Sequence, residues 1–279
     1  MPHKEGVGGS SPSAPTRTYD LLMGAYIDIA GLATWVEQTG AGDETVLLLH
    51  GGLSSCDDLL GTVGPPLAEH YKVVAFDRRG HGRTADTDAP FHYADMATEA
   101  IGVLSTVVGG PAHLVGFSDG GNVALLVALQ RSDLVRKIVT IGANFHHAGL
   151  LALPLELDSP AGAMIADAYG SRSPDGRDHF PVVFAKSETM FATEPTLTIE
   201  DLHGITAPTL VISADDDAIR LDHTCALYEA MPAGRLAVVP GTSHLLPIEK
   251  PLDTARLILD FLQSSGPPVT FMPIRRAST

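Results

Sequence analysis

Short apolar runs alternate with longer amphipathic stretches along most of this chain, and that alternation limits its fold more than any other feature. Residues 45–49, Thr-Val-Leu-Leu-Leu, form a continuous apolar run, as a strand buried on both faces requires. Residues 72–76, 113–116, 137–141, 209–213 and 236–239 read the same way. Helical patterns lie between them at 57–70 (interrupted near Pro65 and Pro66), 93–108, 119–130, 221–231 and 251–263. Strand and helix in turn predict a parallel sheet covered on both faces. Ahead of the first run, 26–29 and 33–36 flank Gly31 and suggest an opening hairpin.

One stretch breaks the rhythm. Residues 145–207 contain no convincing strand, and only 160–169 and 179–190 look like short helices. Such an insertion is too long for a plain connection. It reads as a small helical cap over the carboxyl end of the sheet. The expected organisation is a flexible tail at 1–18, a core at 19–145 and 206–265, a cap at 146–205 and a second tail at 266–279.

Composition narrows the partners. A chain of 279 residues fits one large domain or two small ones and buries enough surface to need no staple. Apolar residues make up 44% and charged residues 18%, which excludes a disordered chain. Lys and Arg number 18 against 33 Asp and Glu, a formal charge of −15. That balance repels nucleic-acid phosphates and anionic membrane surfaces. No apolar run approaches the ~20 residues of a membrane span. The polar N-terminus lacks the apolar core of a signal peptide, and Cys56 and Cys225 form no redox pair or zinc spacing. A cytoplasmic protein with reduced thiols is the expectation. No sequence feature sets an oligomeric state.

Chemistry in a parallel sheet gathers where loops leave the carboxyl ends of strands. The run at 113–116 leads into Gly116-Phe117-Ser118-Asp119-Gly120-Gly121, and a helical pattern follows. This is G-x-S-x-G between a strand and a helix. A serine on so tight a turn leaves no room for neighbouring Cβ atoms, and Gly116 and Gly120 supply the room. Ser118 then sits at a helix N-terminus, where free N–H groups favour a developing oxyanion.

A serine needs a general base, itself oriented by a third group. The run at 209–213 leads to Asp215-Asp216-Asp217, and the run at 236–239 leads to Ser243-His244. An acid and a histidine therefore follow two successive strands, in the order serine, acid, histidine. A plain charged turn accounts for the aspartates that are not used, and no histidine lies at metal-ligand spacing from them.

With these residues in place, the chain resembles the α/β-hydrolase family from about residue 24 to residue 263. His50-Gly51-Gly52 looks like the family's oxyanion loop, and residues 76–84 look like its D-x-R-G-x-G-x-S/T turn. The elbow and Gly142-Ala143-Asn144 resemble the valacyclovir-hydrolase-like and small esterase branch. The resemblance implies the family fold: a mostly parallel eight-stranded sheet, helices on both faces and a small helical cap. It selects Asp217 as the acid, with Asp215 or Asp216 as alternatives; Asn144, at the other position some members use, cannot carry charge. It implies acyl transfer by Ser118, His244 and Asp217 without a metal or cofactor. The oxyanion donors would be the backbone N–H of Asp119 and that of Gly52, with Leu53 second.

The Asp119 carboxylate either binds a cationic substrate group or caps the helix or faces away. His146 and His147 either line the pocket or belong to a polar loop. His50 is expected to pack and hydrogen-bond in its loop, and His81, His92 and His179 to lie at the surface. Leu150, Leu151, Leu153, Leu155, Leu157, Met164, Phe180, Phe184, Met190 and Phe191 fit an apolar pocket, and Phe184 joins Asp119 and His146 as the chosen substrate contacts. The same residues could instead pack the cap onto the core.

Residues 80–85 match G-x-G-x-x-A, yet Asp86, Asp88 and Pro90 follow in place of a helix, so no dinucleotide site is expected. The glycines at 51–52 lack a phosphate-binding lysine. The reading is a serine hydrolase of a small to medium ester. The alternatives are another acyl bond (lactone, thioester, amide or C–C) or a small-molecule receptor with a slow triad.

Overall fold

The computed structural model describes residues 23–151, 155–266 and 270–272. The tail expected at 1–18, most of that at 266–279, and Leu153 lie outside the described residues.

An antiparallel hairpin opens the fold, with β1 at Met23–Ile29 and β2 at Leu32–Thr39. Its turn needs positive φ at both central residues, which Ala30 (φ 53°) and Gly31 (φ 89°) supply. Next come β3 (Thr45–Leu49), α1 (Cys56–Thr62), α2 (Gly64–Ala68) and β4 (Lys72–Phe76). The break expected near Pro65 is real: proline is tolerated in the first turn of a helix and not in its interior, so the chain starts again at α2. α3 (Tyr93–Val103) widens into a π turn at Leu104–Val108 and stops at Gly109, whose φ of 75° suits a left-handed helix end. β5 (Ala112–Phe117), α4 (Asp119–Gln130) and β6 (Val135–Ile141) follow.

The stretch between β6 and β7 holds α5 (Pro160–Gly170), α6 (Phe180–Thr193) and α7 (Ile199–His203). Among the described residues it contains no strand, only the isolated pairings His146 with Thr196 and Leu150 with Ile219. Helix α7 was not anticipated, although Thr198 and Asp201 form a capping box that the sequence displays. The chain closes with β7 (Thr209–Asp216), α8 (Leu221–Ala230), β8 (Gly234–Ser243), α9 (Leu246–Glu249) and α10 (Pro251–Leu262).

The eight strands form one sheet in the order β1-β2-β4-β3-β5-β6-β7-β8, parallel from β4 to β8. Alternate residues of β3 serve opposite faces. Leu47 and Leu49 join Phe76, Leu114 and Ile138 in the core that also takes residues of α3 and α4. Val46 and Leu48 join Val73, Val115 and Ile212 in the core that takes residues of α1, α2 and α10. Both faces of β3 are thus covered, which is why its sequence is apolar without alternation.

Ion pairs and hydrogen bonds tie the insert to the segments that follow β3 and β4. Lys186 Nζ and His179 Nε2 lie 2.7 and 3.0 Å from Asp86 Oδ2, Arg172 Nε lies 2.6 Å from Asp57 Oδ2, and Glu194 Oε1 lies 2.6 Å from His92 Nδ1. His92 is exposed as expected, and His179 is half-buried. Among the described residues, no helix is long and apolar enough to cross a membrane.

Candidate active site

Ser118 sits between β5 and α4 with φ 51° and ψ −119°, a conformation that side chains rarely adopt. Its N–H donates to Ile141 O, and its carbonyl accepts from the N–H groups of Gly121 and Asn122, so the turn is held from both sides. A Cβ on Gly116 would lie 2.2 Å from Gly120 O, and one on Gly120 would lie 2.0 Å from Leu49 O. Both obstacles are backbone and cannot swing away. Gly120→Ala is therefore expected to cost about 3 kcal/mol or more and to lower the melting temperature by roughly 10 °C. A calorimetric scan checks this.

His244 follows β8 and reaches back to the serine. Its Nε2 lies 3.0 Å from Ser118 Oγ, and its Nδ1 lies 2.7 Å from Asp217 Oδ1. The Asp217 side chain is almost fully covered. Its Oδ2 accepts from Ser213 Oγ and the Ala214 N–H, and its Oδ1 also accepts from the Ile219 N–H. Burial pushes its carboxyl up, but the His244 hydrogen bond and charge and the two amides outweigh that and hold it below the usual range. Asp215 and Asp216 are exposed, and Asp215 accepts from the Thr242 N–H instead. Of the three aspartates, Asp217 is the one brought to the imidazole.

Gly142 was read from the sequence only as part of the Gly142-Ala143-Asn144 segment; the structure brings it against the imidazole. It has φ 58°, and a Cβ there would lie 3.0 Å from His244 Cε1 and Nδ1. A glycine immediately after a central strand was the available signal.

The loop after β3 runs beside the serine: a Cβ on Gly51 would lie 3.5 Å from Ser118 Cβ. Leu53 has φ 53°, a second strained position. His50 is buried, as its packing role required, and burial and the neighbouring Arg78 charge push its pKa well down. His81 corrects an expectation. It is not at the surface but buried between His50 and Phe91, and burial, followed by the Arg78 charge, lowers its pKa to about 3. The glycines around it draw its loop into the core, so a polar-looking segment is packed.

Asp119 is buried, and neither caps the helix nor faces away into solvent. Its Oδ1 accepts from Tyr93 Oη at 2.6 Å, and its Oδ2 has no hydrogen bond. Burial raises its carboxyl pKa, opposed by the Arg78 charge and the Tyr93 hydrogen bond.

A cavity of about 330 Å³ lies beside this loop, lined by Leu53, His147, Leu150, Leu155, Phe184 and Phe191 among others. Among the described residues of its wall, Glu188 is the one carboxylate. Phe184 lines it as expected. His146 does not: its Nδ1 accepts from the Ala148 N–H and caps the 3₁₀ turn at His147–Gly149, so its neighbour His147 faces the cavity instead. The apolar residues of the insert divide. Leu151 also faces this cavity, while Phe180 and Met190 are buried in the core and Leu157 packs against it. Met164 borders a second hollow of about 250 Å³ that Leu53 also lines.

Glu37, Cys56 and Asp57 bring potential metal ligands together. However, Arg83 Nη1 already lies 3.5 Å from Glu37, 3.0 Å from Asp57 and 3.4 Å from Asp77. The guanidinium supplies the positive charge there. Burial and the Asp77 carboxylate push the Cys56 thiol far up, which disfavours a thiolate ligand.

Residues 46–257 match the family model described as the alpha/beta hydrolase family. The chain belongs to that family. The hydrolase is 30% identical to a RutD protein of Variovorax paradoxus strain S110, whose carbamate hydrolase label is provisional, over 83% of this chain and 97% of the relative. It is 27% identical to the human serine hydrolase BPHL, over 87% of each chain. Among solved structures it resembles a serine hydrolase involved in carbazole degradation, the CarC enzyme. That likeness has a TM-score of 0.70 and 23% identity, over 88% of this chain and 99% of the other. At that identity it supports the hydrolase's fold alone.

Proposed function

We propose that this hydrolase cleaves a carboxylic ester of a small to medium organic substrate through an acyl-enzyme on Ser118. The observation that carries this reading is the unbroken relay from Ser118 Oγ through His244 to Asp217, at 3.0 and 2.7 Å. His244 Nε2 takes the hydroxyl proton as Oγ attacks the carbonyl carbon. Asp217 holds the tautomer and stabilises the imidazolium. The backbone N–H groups of Asp119 and Gly52, with Leu53 the alternative to Gly52, receive the tetrahedral oxyanion. The intermediate expels the alkoxide, which takes its proton from His244. Water then gives a proton to His244 and attacks the acyl carbon, and the intermediate expels Ser118 Oγ, which takes that proton from His244 as the acid leaves. The insert serves as the cap, and its apolar wall at Leu150, Leu155, Phe184 and Phe191 takes the acyl or alcohol chain.

A panel of matched ester, thioester, lactone and amide substrates tests the bond class. The ester is expected to turn over fastest. Faster turnover of another bond reassigns the substrate, and tight ligand binding without turnover of any favours a receptor.

A second reading concerns charge. Asp119 Oδ2 lacks a hydrogen bond and lies 2.4 Å from where a Gly52 Cβ would stand, beside Phe191 of the cavity wall. That oxygen suits an ammonium group on the substrate. Asp119→Ala is expected to slow aminoacyl esters at least about tenfold more than neutral esters, the worth of one charge-assisted hydrogen bond. An equal loss on both removes the idea.

A further inference from the structure

Arg78 is completely buried; its side-chain hydrogen bonds run to backbone carbonyls, while the Asp119 carboxylate acts on its charge without a hydrogen bond. Its Nη1 donates to His50 O at 2.7 Å, and its Nη2 donates to Gly51 O at 2.9 Å. Its own backbone N–H donates to His50 Nε2 at 3.1 Å. That last bond makes Nε2 an acceptor and leaves the ring proton on Nδ1. His50 Nδ1–H therefore donates to Gly51 O, at 2.6 Å. The 3.3 Å approach of Nη2 to Nδ1 is then donor beside donor, not a hydrogen bond. Gly51 O thus receives two donors at once, one of them charged. A buried guanidinium is costly unless it is hydrogen-bonded; Nη1 and Nη2 make their bonds to the loop carbonyls, while the buried Nε has no partner.

In a trans peptide the carbonyl and the following N–H point in opposite directions. Anchoring Gly51 O to the guanidinium therefore turns the Gly52 N–H away from it. The charge also draws electron density toward the carbonyl and makes that N–H a stronger donor. The Gly51–Gly52 peptide lies beside Ser118 and is free of side chains that could hold it otherwise.

We propose that Arg78 is the positioning residue of the oxyanion hole: its guanidinium fixes and polarises the Gly51–Gly52 peptide so that the Gly52 N–H meets the charge developing on a carbonyl attacked by Ser118. This rests on the acyl-transfer reading above and assigns Gly52 rather than Leu53 as the loop donor. Arg78 touches no substrate; it acts through one peptide unit. The residue stands at the variable second position of the Asp77-Arg78-Arg79-Gly80 turn, so the turn that follows β4 controls the loop that follows β3.

The test uses the full chain, with Arg78→Gln and Arg78→Lys, a p-nitrophenyl ester and a trifluoromethyl ketone that forms an oxyanion on the serine. End-point labelling with a fluorophosphonate counts the folded sites. Arg78→Gln is expected to lower kcat per site about ten- to a hundredfold, with KM little changed and ketone affinity falling by the same factor as kcat/KM. Arg78→Lys, which keeps the charge, is expected to recover part of both. An unchanged kcat per labelled site overturns the proposal, as does a loss of kcat with ketone affinity intact. Should both variants fail to fold, the unmodified protein decides: with isotope-labelled glycine, the Gly52 amide must move downfield on ketone binding. A Gly52 amide that stays put overturns the assignment. If the unmodified protein binds the ketone but cleaves no ester, the substrate reading fails while the Arg78 comparison still stands on ketone affinity.

Discussion

Ser118→Ala is expected to lower kcat on short p-nitrophenyl esters by about 10⁴- to 10⁶-fold. The hydroxyl is the one group His244 Nε2 can deprotonate at that position, 3.0 Å away. Removing it abolishes the acyl-enzyme, so that only direct attack by water remains for the proposed donors at Asp119 and Gly52 to assist. Alanine is tolerated sterically because it deletes one atom and adds none. The unusual backbone at φ 51° is held by hydrogen bonds to Ile141, Gly121 and Asn122 that alanine retains. The folded fraction should therefore be unchanged. Initial rates together with a thermal melt check both halves. A variant that keeps about a tenth of the rate would mean that the measured hydrolysis uses another nucleophile.

Asp217→Asn is expected to cost about 10⁴-fold in kcat, while Asp215→Asn and Asp216→Asn change it little. The 2.7 Å contact between Asp217 Oδ1 and His244 Nδ1 fixes the proton on Nδ1 and leaves Nε2 free to accept from the serine. An amide presents a donor as readily as an acceptor. It favours the opposite tautomer and gives no charge to balance the imidazolium. The carboxyl is also held below its usual range, so it stays ionised into acid solution and its own titration does not limit the neutral-pH rate. Steady-state kinetics on the three single variants decide the assignment. Equal losses in all three would point to the net charge of the turn instead of one oriented carboxylate.

The elements that carry the site were readable because each has a strong local cause. The run at 45–49 has the unbroken apolar sequence of a strand covered on both faces, and α4 begins at Asp119, within the glycine-flanked elbow. Less was readable where cause is distant. Helix α7 escaped because it is short and its apolar face is small, although its capping box was in view. His81 looked exposed because its glycine- and arginine-rich surroundings look polar, yet the loop folds inward and buries the ring between His50 and Phe91. His146 and His147 are adjacent and chemically identical. Only the cap hydrogen bond from Ala148 decides which of them turns away from the cavity.

Local sequence determined the strand-and-helix rhythm, the sharp bend at Ser118 and the order in which the acid and imidazole follow it. Those follow from steric and apolar patterns spanning a few residues. Family resemblance favoured Asp217, but the tertiary structure is what brings it and not its two neighbours to His244, and only the tertiary structure decided that Arg78 grips the carbonyls of His50 and Gly51. Those outcomes depend on contacts between segments far apart in the chain, where a difference of one ångström separates a hydrogen bond from none.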